Sequence, residues 1–216
     1  MHSYTLEARP DTRGRTIHWA RFYDPLTRLL TLGQERTLRE KTLNLAALQP
    51  GETVLDVGCG TGRLALLAKP RVGPSGSVYG IDAAPEMIEF ARQQARRMGT
   101  EVDFRVGLIE ALPFPEGTFE VVLSSLMFHH LPDGLQRQGL AEIQRVLKPG
   151  GRLLVVDMQP ATGLAGHLGM ALVFHGAVAN GVGALAGPMA GMGYAQIESG
   201  DLKFGPLGYI RGQRAG

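Results

Sequence analysis

The residues best suited to chemistry are two carboxylates, Asp56 and Asp82, and the glycine-rich turn Gly58-Cys59-Gly60-Thr61-Gly62 that lies between them. Without a Cβ, Gly58 and Gly60 let the backbone turn sharply and approach a ligand closely. A helix that follows such a turn offers free N–H groups. A dinucleotide site places its third glycine three residues after the second, which here is position 63. The chain has Arg63 there and Gly62 before it, giving G-x-G-x-G. A carboxylate at Asp56 repels a pyrophosphate and attracts an amine or a sulfonium. Asp82 stands 20 residues after Gly62 at the end of a second predicted strand, where an acid accepts hydrogen bonds from both ribose hydroxyls. A nucleoside with a positive amine and no phosphate meets both demands, which favours S-adenosylmethionine over NAD.

The candidates for a general base are His129, His130, His167, His175 and Tyr23. An unperturbed imidazole pKa of ~6.5 suits the role. His129-His130 follows the fourth predicted strand; its alternative role is packing in a strand–helix turn. Methyl transfer is an in-line displacement whose leaving group departs neutral, so alignment alone supplies much of the catalysis, with effective molarities of ~10⁵ M or more. No Cys/His or carboxylate cluster has metal-ligand spacing, and no metal is expected. Arg92, Arg96 and Arg97 read as a solvated helix face. Trp19, Phe22 and Tyr23 read either as an aromatic lid or as an anchor for the N-terminal segment.

These residues need a scaffold, and the periodicity of the chain supplies one. Short apolar runs at 53–57, 77–81, 102–106, 118–124 and 152–157 alternate with helical patterns at 61–69, 85–98 and 132–147. An earlier helix runs from Asp24-Pro25 to about Leu48. Pro70 and Pro149-Gly150-Gly151 are expected to stop two of the helices. Such alternation means βαβ units and a parallel sheet with helices on both faces. Two further strands, 195–204 and 206–213, flank Gly205-Pro206 and predict an antiparallel hairpin at the sheet edge. The 216 residues suit one α/β domain, and the 44% hydrophobic content excludes a disordered chain. A net charge of +2 is too small to imply nucleic acid. A lone cysteine, Cys59, points to a reducing compartment and a cytoplasmic protein.

The run VLDVGCGTG, followed by GID, ALPFPEGTFEVVLSSLMFHHLPD and RVLKPGGRLLVVD, resembles the class I S-adenosylmethionine-dependent methyltransferases, most closely the ubiquinone/menaquinone-biosynthesis (UbiE-like) type. The likeness covers about Leu48 to Asp157. It implies an α/β, Rossmann-like, seven-stranded, mostly parallel sheet with helices on both faces and an antiparallel C-terminal hairpin. It further implies that Asp56 and the backbone of Gly58, Cys59, Gly60 and Gly62 hold the methionine part of S-adenosylmethionine, and that Asp82 holds its ribose. By the same likeness Ala83 and Met87 border the adenine, the loop from Gly107 to Pro113, with Leu108 and Ile109, covers its other side, and Ser124, Ser125 and Leu126 face the methionine part and the sulfonium. At position 108 the chain departs from the family, which often has an aspartate there.

The expected organisation is a single methyltransferase domain over 1–216: an N-terminal helical cover (1–48), a cofactor-binding core (49–157), an apolar glycine-rich lid or helix (158–194) and a C-terminal hairpin (195–216). Met158 to Ile197 carries no Asp, Glu, Lys or Arg, and 14 of the 30 glycines fall after residue 160. An uncharged cover suggests a small apolar acceptor: a quinone precursor, a lipid or a hydrophobic metabolite. Its alternative is a set of core helices with a homodimer contact. The run is too interrupted for a transmembrane helix, although peripheral membrane contact stays open. Two other functions stand beside methyl transfer: a non-catalytic S-adenosylmethionine-binding sensor or partner subunit, and an NAD(P)-dependent oxidoreductase.

Overall fold

The computed structural model describes residues 34–159 and 181–216. In chain order its elements are α1 (Glu35–Ala46), β1 (Thr53–Val57), α2 (Arg63–Val72), β2 (Ser77–Asp82), α3 (Pro85–Met98), β3 (Asp103–Val106), β4 (Phe119–Ser125), a 3₁₀ turn (Phe128–His130), α4 (Asp133–Val146), β5 (Leu147–Met158), a second 3₁₀ turn (Val182–Leu185), α5 (Ala186–Gly191), β6 (Tyr194–Phe204) and β7 (Leu207–Arg214). The seven strands lie in the order β3-β2-β1-β4-β5-β7-β6. The first five are parallel, and β7 inserts antiparallel between β5 and β6.

The central strands are near-continuous apolar runs because helices cover both faces of the sheet. Val54, Leu55, Val121, Val122, Val155 and Val156 are fully buried, and the core divides into one cluster on each face. On one face α3 presents Met87, Ile88, Ala91 and Ala95 at helical spacing. Gly99, at φ +59°, ends that helix by donating to the Ala95 and Arg96 carbonyls. On the other face Tyr79, Phe114 and Phe119 meet edge to face.

The order of strands reverses between β1 and β4, and the crevice beyond their C-terminal ends is where open α/β sheets bind ligands. α1 is fastened beside this crevice at several points. Arg152 donates to the Ala46 and Ala47 carbonyls at 2.8 and 3.0 Å and pairs with Glu52 at 2.7 Å. Lys41 donates to the Leu202 and Lys203 carbonyls of β6.

Two stop signals are corrected. Pro70 lies inside α2, which continues to Val72. A proline so close to the helix end removes only one bond, and buried Ala68 and Val72 hold the last turn against the sheet. α4 ends at Val146, and β5 starts at once and runs through Pro149-Gly150-Gly151. Those residues accompany a register shift against Phe119 and Val121 rather than a helix stop. The first ten residues of the expected N-terminal helix, Trp19, Phe22, Tyr23, His167, His175 and most of the expected lid lie outside the described residues.

Candidate active site

The turn after β1 is shaped by β2. The amides of Gly58 and Cys59 both donate to the Ile81 carbonyl at 2.9 Å, and that of Gly60 donates to Asp82 Oδ2 at 2.9 Å. The second Asp82 oxygen accepts from Ala84 N–H at 2.9 Å. Asp82 therefore braces the turn while standing half-buried at the end of β2. Burial pushes its carboxyl above the ordinary value, and the Ala84 and Gly60 amides pull it partly back.

Asp56 is 1% exposed, and among the described residues its Oδ2 has no hydrogen-bond partner. Burial pushes its carboxyl up to about 7; the Ala65 amide lowers it, nearby Asp82 raises it further, and Arg39 lowers it. An unmet acceptor in a low-dielectric wall is costly unless a donor arrives. Asp56 lines a pocket together with Gly58, Cys59, Gly60, Ser125 and Leu126. Leu126 occupies the left-handed region at φ +58°, where a leucine is strained, and its amide donates to the Val156 carbonyl. Strain of this kind costs about 1–3 kcal/mol and clusters at ligand sites.

Other expected site residues lie around this pocket rather than in its lining. Gly62 caps α2 at φ +77°, and a Cβ there would come within 2.5 Å of Phe104. Met87 is buried and forms a small apolar cluster with Ala84 and Phe90, beside half-buried Ala83. Leu108 bridges to Ala111 in a tight loop. Ile109 packs into the second core, where it would touch a Cβ placed on Gly139 of α4. Ser124 is fully buried and donates to the Val57 carbonyl, tying β4 to β1.

The histidine pair has a partner that sequence reasoning missed. His129 Nδ1 lies 2.6 Å from Oδ1 of Asp157, whose side chain is 3% exposed at the end of β5. The His129 amide donates to the other oxygen of Asp157 at 3.2 Å, and the Met158 amide donates to Oδ1 at 2.7 Å. The His130 ring lies against that of His129, centroids 3.9 Å apart. Asp157 is separated from His129 by 28 residues, so only the pairing of β4 with β5 brings them together. Glu35, Leu38 and Arg39 of α1, with Thr61, Arg63 and Leu64, complete the pocket lining and were also missed. Among the described residues no three His, Cys, Asp or Glu side chains are grouped to hold a metal.

Residues 54–151 match the model of a family described as a methyltransferase domain. Over these residues, somewhat under half of the chain, the protein is similar to that family. A demethylmenaquinone methyltransferase of Thermus thermophilus is 41% identical over 138 residues, which are 64% of this chain and 61% of that protein. A ubiquinone/menaquinone biosynthesis C-methyltransferase, UbiE, of Hahella chejuensis is 35% identical over 142 residues, 65% of this chain and 56% of that protein. The chain thus spans about three-fifths of the length of the curated relatives it matches. Among solved structures, an S-adenosylmethionine-dependent methyltransferase from Aquifex aeolicus superposes with a TM-score of 0.61 at 23% identity, over 82% of this chain and 89% of that one. That likeness confirms the methyltransferase-type fold expected from the sequence. No helix among the described residues is long and apolar enough to cross a membrane.

Proposed function

We propose that the protein transfers the methyl group of S-adenosylmethionine to a small apolar acceptor, with a quinone precursor as the first candidate. The match of residues 54–151 to a methyltransferase domain family supports the reaction class, and the demethylmenaquinone and ubiquinone/menaquinone activities for which the relatives are named support the quinone class. The residues present fit the cofactor. Asp56 offers an unpartnered oxygen to a positive, donating group, and Asp82 retains lone pairs for ribose hydroxyls beyond its two backbone bonds. Bound there, the cofactor supplies an electrophilic methyl carbon on a sulfonium.

The observation that carries the enzymatic reading is the His129–Asp157 pair. A buried carboxylate bonded to Nδ1 holds the imidazole in one tautomer, leaving Nε2 as the basic atom. In that tautomer Nδ1 carries the hydrogen and donates to Asp157, and Nε2 accepts a proton from the acceptor. Asp157 then stabilises the resulting imidazolium. A binding-only sensor has no need of a basic Nε2 held in this way.

The test measures incorporation of labelled methyl from S-adenosylmethionine into demethylated quinone held in detergent micelles. His129→Ala and Asp157→Asn should lower kcat by about 10²–10⁴-fold, the span of general-base catalysis. Their affinity for S-adenosylhomocysteine should stay that of the wild type. Full activity in both variants would remove the base role, and the absence of transfer to any quinone or lipid acceptor would favour the sensor reading.

A further inference from the structure

α1 carries two ion pairs at i,i+4 spacing that differ in their surroundings. Arg36 and Glu40 are 85% and 36% exposed, an ordinary solvated pair. Arg39 and Glu35, 3.2 Å apart, are only 18% and 14% exposed and line the pocket above Asp56. A half-buried pair of this kind adds little stability, because desolvation offsets the attraction. Helix stabilisation also leaves one fact unexplained. Among the described residues Glu35 Oε1 is buried without a partner, as is Asp56 Oδ2 in the same pocket. Two unmet carboxylate acceptors and one guanidinium thus face one small space. That pattern is complementary to a zwitterion, whose ammonium donates three hydrogens and whose carboxylate matches the guanidinium fork.

We infer that Glu35 and Arg39 belong to the cofactor site: Arg39 binds the α-carboxylate of the cofactor's amino-acid end, while Glu35 and Asp56 share its α-ammonium. This rests on the proposed methyltransferase reading and adds two residues from outside the matched domain, residues 54–151. Charge on Arg39 already acts on Asp56, so the three groups form one electrostatic unit. α1 is held at its far end by Arg152 and Lys41, which fixes the pair over the glycine turn.

Two nucleosides separate this role from a structural one. S-Adenosylhomocysteine carries the amino-acid end, and 5′-deoxy-5′-methylthioadenosine lacks it; neither carries the sulfonium charge. Calorimetry on the full chain should show Arg39→Met weakening S-adenosylhomocysteine by about tenfold to a hundredfold, the range for hydrogen bonds to charged groups. Binding of methylthioadenosine should stay within twofold of wild type, which also shows that the variant is folded. Glu35→Gln should behave likewise with a smaller loss, and Arg39→Lys should recover part of the affinity. Equal losses for both ligands, or no loss for either, would overturn the inference and leave the pair a helix support. A wild type that binds neither nucleoside would overturn the methyltransferase reading itself.

Discussion

Asp56 is a carboxylate that titrates at about 7 instead of 3.8, because burial penalises its charge. Between those values the folded protein keeps a proton that the unfolded chain has lost, so the ligand-free protein loses stability as pH rises from 4 to 7 and then levels off. An incoming ammonium needs the ionised form. Affinity for S-adenosylhomocysteine should therefore rise about tenfold from pH 6 to 7.5, with proton release on binding, and Asp56→Asn should flatten the profile. Asp82, Arg39 and Cys59 act on or beside Asp56; the Cys59 thiol is pushed well up by burial and stays neutral across this range. The glycines of the turn make a second residue-scale case. At Gly62, φ +77° combines with Phe104 at 2.5 Å and Ala91 at 2.8 Å from a built Cβ; at Gly60, φ +51° meets open space. Gly62→Ala should cost roughly 2–4 kcal/mol in urea unfolding, strain plus overpacking, against roughly 1 kcal/mol for Gly60→Ala. Equal costs would mean that the α2–β3 contact yields easily.

At the scale of elements, α1 brings Glu35, Leu38 and Arg39 to the pocket, and bonds to β5 and β6 hold it there. Arg152→Ala removes two bonds to its C-terminal carbonyls and the pair with Glu52. The variant should lose about 2–3 kcal/mol, since each bond involves a charged donor. Amide exchange should quicken in α1 and not in β1. Most elements were legible beforehand, because each strand is a compact apolar run and α3 is marked by Pro85 and Gly99 at its ends. The glycine turn and its flanking acids were legible because their spacing encodes geometry. The ends at Pro70 and Pro149 were misread, because tertiary packing outweighed local punctuation there. Asp157, Glu35 and Arg39 were invisible as site residues, since strand pairing and helix docking place them across the crevice with no local signature. The glycines of the C-terminal hairpin gained particular jobs only from packing. Gly208, for example, leaves room for Gln159, whose amide donates to the Gly200 carbonyl.

For the whole molecule, the crevice is a junction: its walls come from α1, from the turns after β1 and β2, and from the end of β4. A ligand that contacts all of them stabilises the native state by mass action, about 2.7 kcal/mol at a hundred times its Kd. For a chain of 150–250 residues each kcal/mol moves Tm by about 2–4 °C, so saturating S-adenosylhomocysteine should raise Tm by about 5–11 °C. NADH should raise it by nothing measurable, because Arg63 stands where a dinucleotide turn needs its third glycine and Asp56 repels a pyrophosphate. Asp82→Ala should remove most of the shift produced by S-adenosylhomocysteine, as it loses both the proposed ribose acceptor and the brace on Gly60. The thermal scan thus reads the ligand class without an acceptor in hand. A shift with NADH and none with S-adenosylhomocysteine would reverse the assignment of the crevice.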